Sequence, residues 1–115
     1  MEYAMAYRIY ISRTENPEDA ADDPIGLEEW KLLVRDIPQL HLYEGVEALP
    51  RHIEAPTASE GLARWAAHPR FDSVWFNHED GRIYAEGFDS YVVMRMRAIA
   101  GRLGAQVVDD EGRRY

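Results

Sequence analysis

Histidine is a common metal ligand, and this 115-residue chain contains four of them: His41, His52, His68 and His78. A metal site on a helix needs ligands three or four residues apart, and no histidine has such a partner on a predicted helix. His78-Glu79-Asp80 combines three types of ligand, but it lies in a predicted hairpin turn, where polar residues are expected anyway. The pattern therefore predicts no metal site and no cofactor.

The residues needed for covalent catalysis are absent or have a structural explanation. There is no cysteine, and no serine lies in the GxSxG sequence of a nucleophile elbow. Ser59 and Ser90 are explained as helix caps, and Gly101-Arg102-Leu103-Gly104 lacks the GK[ST] end of a phosphate-binding loop. With 21 acidic residues, neighbouring carboxylates arise by chance and do not indicate acid–base catalysis. We therefore expect no enzymatic activity and no catalytic residues.

The acidic balance of the chain restricts its partners. The formal net charge is -8, which disfavours nucleic acid and would steer a basic protein toward the surface, although solubility alone also explains it. No stretch approaches the roughly 20 apolar residues of a membrane span. Residues 1–4 lack the features of a signal peptide, and the absence of cysteine fits a reducing compartment. We expect a cytoplasmic protein that contacts neither nucleic acid nor membrane.

The hydrophobic pattern predicts one α+β domain over residues 1–115. Alternation at Tyr7, Ile9 and Ile11 indicates a half-buried strand, and residues 40–44 and 105–108 have the pattern of further strands. Helical spacing of apolar residues predicts principal helices over 26–37, with Trp30 in the core, and over 89–103. The expected architecture is a mainly antiparallel sheet of about four to six strands packed by these two helices.

Residues 74–77 and 82–86 flank Asp80-Gly81 and predict a β-hairpin. If Ile83 and Ala85 point inward, then Arg82, Tyr84 and Glu86 point outward together. Trp75 can share that outward face, or it can point inward with Phe76 outward. Aromatic side chains flanked by arginine and acid are typical of an interaction patch, and a covering helix is the alternative.

Two segments are less regular. Residues 13–24 contain two prolines and five acidic residues, with no cation after Arg13, a pattern that predicts a mobile acidic loop. This loop is either simply solvated or faces a partner. Thr57 or Ser59 can cap a short helix near 59–67 that ends at His68-Pro69.

Four motifs follow one another along the chain: Leu27-Glu28-Glu29-Trp30, the hairpin Trp75…Asp80-Gly81-Arg82-Ile83, the helix end Ile99-Ala100…Leu103-Gly104-Ala105…Val108, and Asp110-Glu111-Gly112…Tyr115. This series resembles small bacterial immunity proteins of polymorphic toxin or contact-dependent growth-inhibition systems. The resemblance covers residues 26–37 and 74–115, and Gly26 replaces the Ser or Thr that usually precedes LEEW.

The resemblance implies a protein that binds a cognate toxin domain in the cytoplasm and occludes it, and thereby protects the producing cell. It carries over no catalytic residue. A basic toxin enzyme, such as a nuclease, would fit the charge of -8. The contacts expected on this reading are the acidic residues Glu18, Asp19, Asp22, Asp23, Glu79 and Asp80 and the aromatic residues Trp75 and Tyr84.

Two other functions remain open at this point. The chain could be an acidic interaction module or subunit with a different basic partner. It could also be a small-molecule-binding or enzymatic domain with a pocket near Trp65, His68 and Trp75.

Overall fold

The structure, a computed structural model, describes residues 8–43, 60–71 and 73–115. Two α-helices, α1 and α2, cover Leu27–Asp36 and Ser90–Leu103, and a 3₁₀ helix covers Pro17–Asp22. The six strands, β1 to β6 in chain order, are Arg8–Ser12, Leu40–Leu42, Ala63–Trp65, Val74–Glu79, Arg82–Glu86 and Gln106–Asp109. None of the helices in these ranges is long and apolar enough to cross a membrane.

The strands form one antiparallel sheet in the order β2-β3-β4-β5-β1-β6. The predicted α+β architecture with a sheet of four to six strands and two principal helices is therefore confirmed. α1 lies between Gly26 and Ile37, and α2 lies between Asp89 and Gly104. Both helices follow from apolar residues at helical spacing that face the sheet.

Inward-facing residues of the sheet and one side of each helix make a single hydrophobic core. Ile9, Ile11 and Ile83 are fully buried on the sheet, and Trp30 and Met96 are fully buried on the helices. The indole Nε1 of Trp30 donates to the carbonyl oxygen of Gly61 at 2.7 Å, which satisfies its polar atom in the core. Trp30 is thus the core residue that the sequence predicts.

β1 is buried on both faces, so the expectation of a half-buried strand is wrong. Tyr10 is 6% exposed and Ser12 is fully buried, although both point away from Ile9 and Ile11. The guanidinium of Arg82 covers Tyr10, with its carbon 4.8 Å from the ring centre. Tyr7 lies outside the described residues.

The expected short helix near 59–67 is wrong over the described residues 60–67, which contain β3 instead. β3 lies between β2 and β4, with Trp65 opposite both Leu40 and Val74. Hydrogen bonding to strands on both sides outweighs the local helical pattern. The proposed caps Thr57 and Ser59 lie outside the described residues.

Residues 13–24 are not an irregular loop, because the 3₁₀ helix lies at their centre. The side chain of Asn16 caps this helix by accepting a hydrogen bond from the Glu18 N–H at 2.9 Å, and Pro17 follows at the first helical position. Asn-Pro can begin a helix as well as end one. Proline has no backbone N–H, but the N–H at the first helical position has no partner within the helix, so nothing is lost there. Pro17 and Ala20 are buried, so the segment is packed against the domain.

The hairpin has the two-residue turn that Asp-Gly predicts, with φ of 54° at Asp80 and 83° at Gly81. His78 and Glu79 belong to β4, opposite Ile83 and Arg82, so their assignment to the turn is wrong. The turn also touches residues 13–24, which we call the acidic segment. A Cβ atom added at Gly81 would lie 2.7 Å from the Cβ of Pro24.

Replacing Gly81 with alanine should therefore destabilise the protein more than the same change at Gly87. Both glycines have positive φ, but a Cβ at Gly87 meets nothing within 4 Å. Gly87→Ala should cost about 1 kcal/mol from backbone strain. Gly81→Ala should cost about 1–2 kcal/mol more, because Pro24 must shift. Urea unfolding of the two variants measures the difference, and equal losses would mean that Pro24 is not firmly packed on the turn.

Candidate functional site

A groove opens where β4 and β5 separate. β4 pairs with β3 through residues 74–76 and with β5 through residues 77–79. Continuing the register would set Trp75 opposite Glu86, but these two residues are not paired. The space between them is an open groove of about 760 Å³.

Aromatic and acidic side chains line this groove. Phe76 is fully buried, which directs its neighbours Trp75 and Asn77 to the outer face and decides between the two orientations compatible with the sequence. Tyr84 lies opposite Asn77 on β5, and the Asn77 amide donates to its hydroxyl at 3.3 Å. The aromatic lining residues are Phe71, Trp75, Tyr84 and Phe88, and the acidic ones are Glu79, Glu86 and Asp89.

Asp89 fixes the start of α2 beside the groove. Its carboxylate accepts the Val92 N–H at 3.0 Å and a hydrogen bond from Nε2 of His68 at 2.9 Å. Burial opposes ionisation, but the hydrogen bonds from Val92 and His68 outweigh it and lower the pKa of Asp89 below its usual value.

His68 is a structural residue in this arrangement. Its side chain is fully buried. Its Nδ1 accepts the N–H groups of Arg70 and Phe71 at 2.9 and 3.1 Å, so Nε2 carries the proton that is donated to Asp89. Both ring nitrogens are therefore used, and neither is directed at the groove. Trp65 packs beside His68 in the interior, and only Trp75 of the three residues predicted to share a pocket lines the groove.

The segment that carries the 3₁₀ helix is fixed to the tip of the hairpin. Arg82 donates to the carbonyl oxygen of Pro17 at 2.7 Å, and the Ile25 N–H donates to the Gly81 carbonyl at 2.9 Å. Nε2 of His78 is 2.7 Å from the carbonyl oxygen of Ile25, to which it donates. These contacts hold the acidic residues of the segment close to those of the turn.

Six predicted contact residues belong to these two packed elements and form what we call the acidic surface: Glu18, Asp19, Asp22, Asp23, Glu79 and Asp80. Glu18 and Asp80 line one shallow depression of about 500 Å³. All six side chains are exposed. Of these six residues, only Glu79 forms ion pairs with other described residues, at 3.7 Å from Arg8 and 3.9 Å from Arg82. The other five carboxylates have no cationic partner there.

The eight residues predicted from the sequence thus fall into two adjoining places. Trp75 and Tyr84 line the groove, and Glu79 belongs to both the groove and the acidic surface. Sequence reasoning missed Glu86, Phe88 and Asp89 as groove residues. The alternation along β5 did place Glu86 outward, but no sequence signal indicates that β4 and β5 separate.

Metal chemistry has no evident location in the described ranges. No group of three or more His, Cys, Asp or Glu side chains there could hold a metal ion.

Comparisons with protein-family models, with curated proteins and with solved structures find no match for this chain. No residue role can therefore be transferred from a relative. The function must be argued from the acidic surface and the groove.

Asp89→Ala should destabilise the protein by about 2–4 kcal/mol. It removes the helix cap, which is worth about 1 kcal/mol, and leaves the buried Nε2 of His68 without an acceptor, which costs about 1–3 kcal/mol. Asp89→Asn is the matched control: its amide oxygen, in the place of Oδ1, still accepts from Val92 and keeps the helix cap, but its NH₂ group takes the place of Oδ2 beside the Nε2–H of His68. Urea unfolding should therefore place Asp89→Asn between the parent protein and Asp89→Ala. Equal losses in both variants would contradict the assigned hydrogen bonds.

Lowering the pH should reduce the free energy of unfolding more in the parent protein than in Asp89→Asn. The pKa of Asp89 is lower in the folded chain than in the unfolded chain. Its ionised form therefore stabilises the fold above about pH 4, and this contribution is lost as the pH falls further. Urea midpoints measured between about pH 5 and 3 should fall more steeply for the parent protein. Parallel curves would mean that Asp89 does not titrate in this way.

Proposed function

We propose that this chain is an immunity protein that binds a cognate toxin domain through the acidic surface and occludes it. The observation that carries the proposal is the set of five exposed carboxylates that have no cationic partner among the described residues and lie on a segment packed against the hairpin tip. Neighbouring like charges repel one another, and a basic partner would relieve that repulsion. Long-range attraction would also accelerate the encounter.

The order of the acidic segment supports binding as its role. A mobile loop would lose conformational freedom on binding, at a cost of about 1–2 kcal/mol for each residue that becomes fixed. Here the segment is already anchored, because the Arg82 side chain donates to the Pro17 carbonyl and the Ile25 N–H donates to the Gly81 carbonyl. A preformed acidic surface avoids much of that cost, so more of the interaction energy contributes to affinity.

The groove supplies the aromatic residues that a tight interface needs. Binding energy concentrates in buried aromatic and arginine side chains, whereas exposed charges mainly affect the association rate. Trp75 and Tyr84 are half-buried beside Glu79. An interface over this region would combine electrostatic attraction at the hairpin tip with aromatic contacts in the groove.

The resemblance of residues 26–37 and 74–115 to immunity proteins supplies the identity of the partner in this proposal. The partner is a toxin domain with a basic surface, such as a nuclease, and the two meet in the cytoplasm. The chain acts by binding alone and performs no reaction of its own. An acidic subunit with another basic partner would use the same surface, and the experiment below separates the two.

The proposal requires a toxin domain encoded beside this gene, and co-expression with that domain should restore growth that the toxin alone prevents. The purified pair should associate roughly tenfold or more slowly at about 500 mM salt than at about 50 mM, because salt screens the attraction. Stopped-flow fluorescence measures the rate. Failure to restore growth, together with no detectable complex, would contradict the immunity role.

Glu18→Gln/Asp80→Asn should slow this association several-fold while leaving the fold intact. Asn-Gly is a preferred sequence for the same type of turn, so Asp80→Asn preserves the hairpin. The matched control is Asp36→Asn/Glu60→Gln, which removes the same net charge from carboxylates paired with Arg102 and Lys31. If the control slows association equally, net charge and not the acidic surface governs the encounter.

A further inference from the structure

We infer that the groove between β4 and β5 is the pocket for an arginine side chain of the partner. This inference rests on the proposed function and specifies how the partner would be anchored. The groove is adjacent to the acidic surface through Glu79, which belongs to both.

The charges of the groove favour a cation. Among the described residues, its lining includes the carboxylates of Glu79, Glu86 and Asp89 and no lysine or arginine. The carboxylate of Asp89 already accepts hydrogen bonds from His68 and Val92. Within the described part of the chain, the cationic contacts of Glu79 are the long ones of 3.7 and 3.9 Å to Arg8 and Arg82, so its carboxylate can accept shorter hydrogen bonds from an entering group.

The walls of the groove favour a planar cation over a compact one. Trp75 and Tyr84 present aromatic rings, and the edge-on contact of Tyr43 with Trp75, 5.4 Å between ring centres, braces the indole. A guanidinium group is planar, stacks on aromatic rings and binds carboxylates with two parallel hydrogen bonds, whereas an ammonium group does neither as well. A volume of about 760 Å³ accommodates an arginine side chain together with neighbouring backbone.

The chain already makes this type of contact with its own arginine at the edge of the groove. The guanidinium carbon of Arg8 lies 4.1 Å from the ring centre of Tyr84. Its Nε and Nη2 both donate to Glu86, at 3.1 and 2.9 Å. Trp75 and Glu79 lie on the outer face of β4 in the same groove and offer a further ring and a further carboxylate.

Titration of the ¹⁵N-labelled protein with N-acetyl-arginine amide tests the inference, with N-acetyl-citrulline amide as the neutral isostere. The arginine probe should shift the indole signal of Trp75 and the amides of Asn77 and Tyr84 saturably, with a Kd on the order of 1 mM. The citrulline probe should shift them weakly. Glu79→Gln/Glu86→Gln should raise the Kd at least about fivefold, and Asp36→Asn/Glu60→Gln should leave it unchanged.

Three results would overturn the inference: equal shifts with both probes, shifts confined to residues 15–23, or no shift. None of them touches the proposed function, which depends on growth rescue and on the effect of Glu18→Gln/Asp80→Asn. Conversely, saturable binding in the groove with neither growth rescue nor a detectable complex would support the arginine pocket and reject the toxin as partner.

Discussion

The contact between the hairpin tip and residues 13–25 is the interaction on which the rest of the site depends. Because Gly81 has no side chain, Pro24 can lie directly against the turn. The Ile25 N–H donates a hydrogen bond to the Gly81 carbonyl at the same place. Arg13 secures the same segment by donating to the carbonyl oxygens of Pro24 and Leu103 and by pairing with Glu29. Without these contacts the chain between β1 and α1 would have no fixed position.

This docking determines how charge is distributed over the surface. The arginines near the hairpin already have partners. Arg82 lies over the ring of Tyr10 and donates to the carbonyl oxygen of Pro17. Arg8 lies over the ring of Tyr84 and donates to the carboxylate of Glu86. The carboxylates of the 3₁₀ helix and the turn remain exposed to solvent instead of pairing with them. Arginines thus hold the framework together through carbonyl groups, rings and the carboxylates of Glu29 and Glu86, while the carboxylates at the hairpin tip leave an excess of negative charge there. Glu79 connects that excess with the aromatic groove.

Much of the fold could be predicted because the decisive signals are local. Asp80-Gly81 specifies a two-residue turn, since few residue pairs adopt positive φ twice in succession. Gly26, Pro38, Asp89 and Gly104 bound the helices, and the structure agrees to within about a residue. β3 was not predictable, because a three-residue strand carries almost no periodic signal. It is defined by its partners at Leu40–Leu42 and Val74–Phe76, which lie far away in sequence.

The sequence predicts the types of residue in the candidate site but not their arrangement in space. The acidic residues and the outward Tyr84 could be identified, but their proximity depends on the packing of Pro24 on Gly81, which no local pattern encodes. The burial of Tyr10 and the separation of β4 from β5 are likewise tertiary effects.

The most direct measurement of the central claim is hydrogen exchange of this chain, alone and in complex with the proposed toxin partner, followed by mass spectrometry. If the docked acidic segment and the groove form the binding surface, the complex should slow exchange in peptides covering residues 13–25 and 74–88. Peptides from the middle of α2 should exchange at unchanged rates. Protection confined to α1 and α2, with residues 13–25 unaffected, would contradict the account.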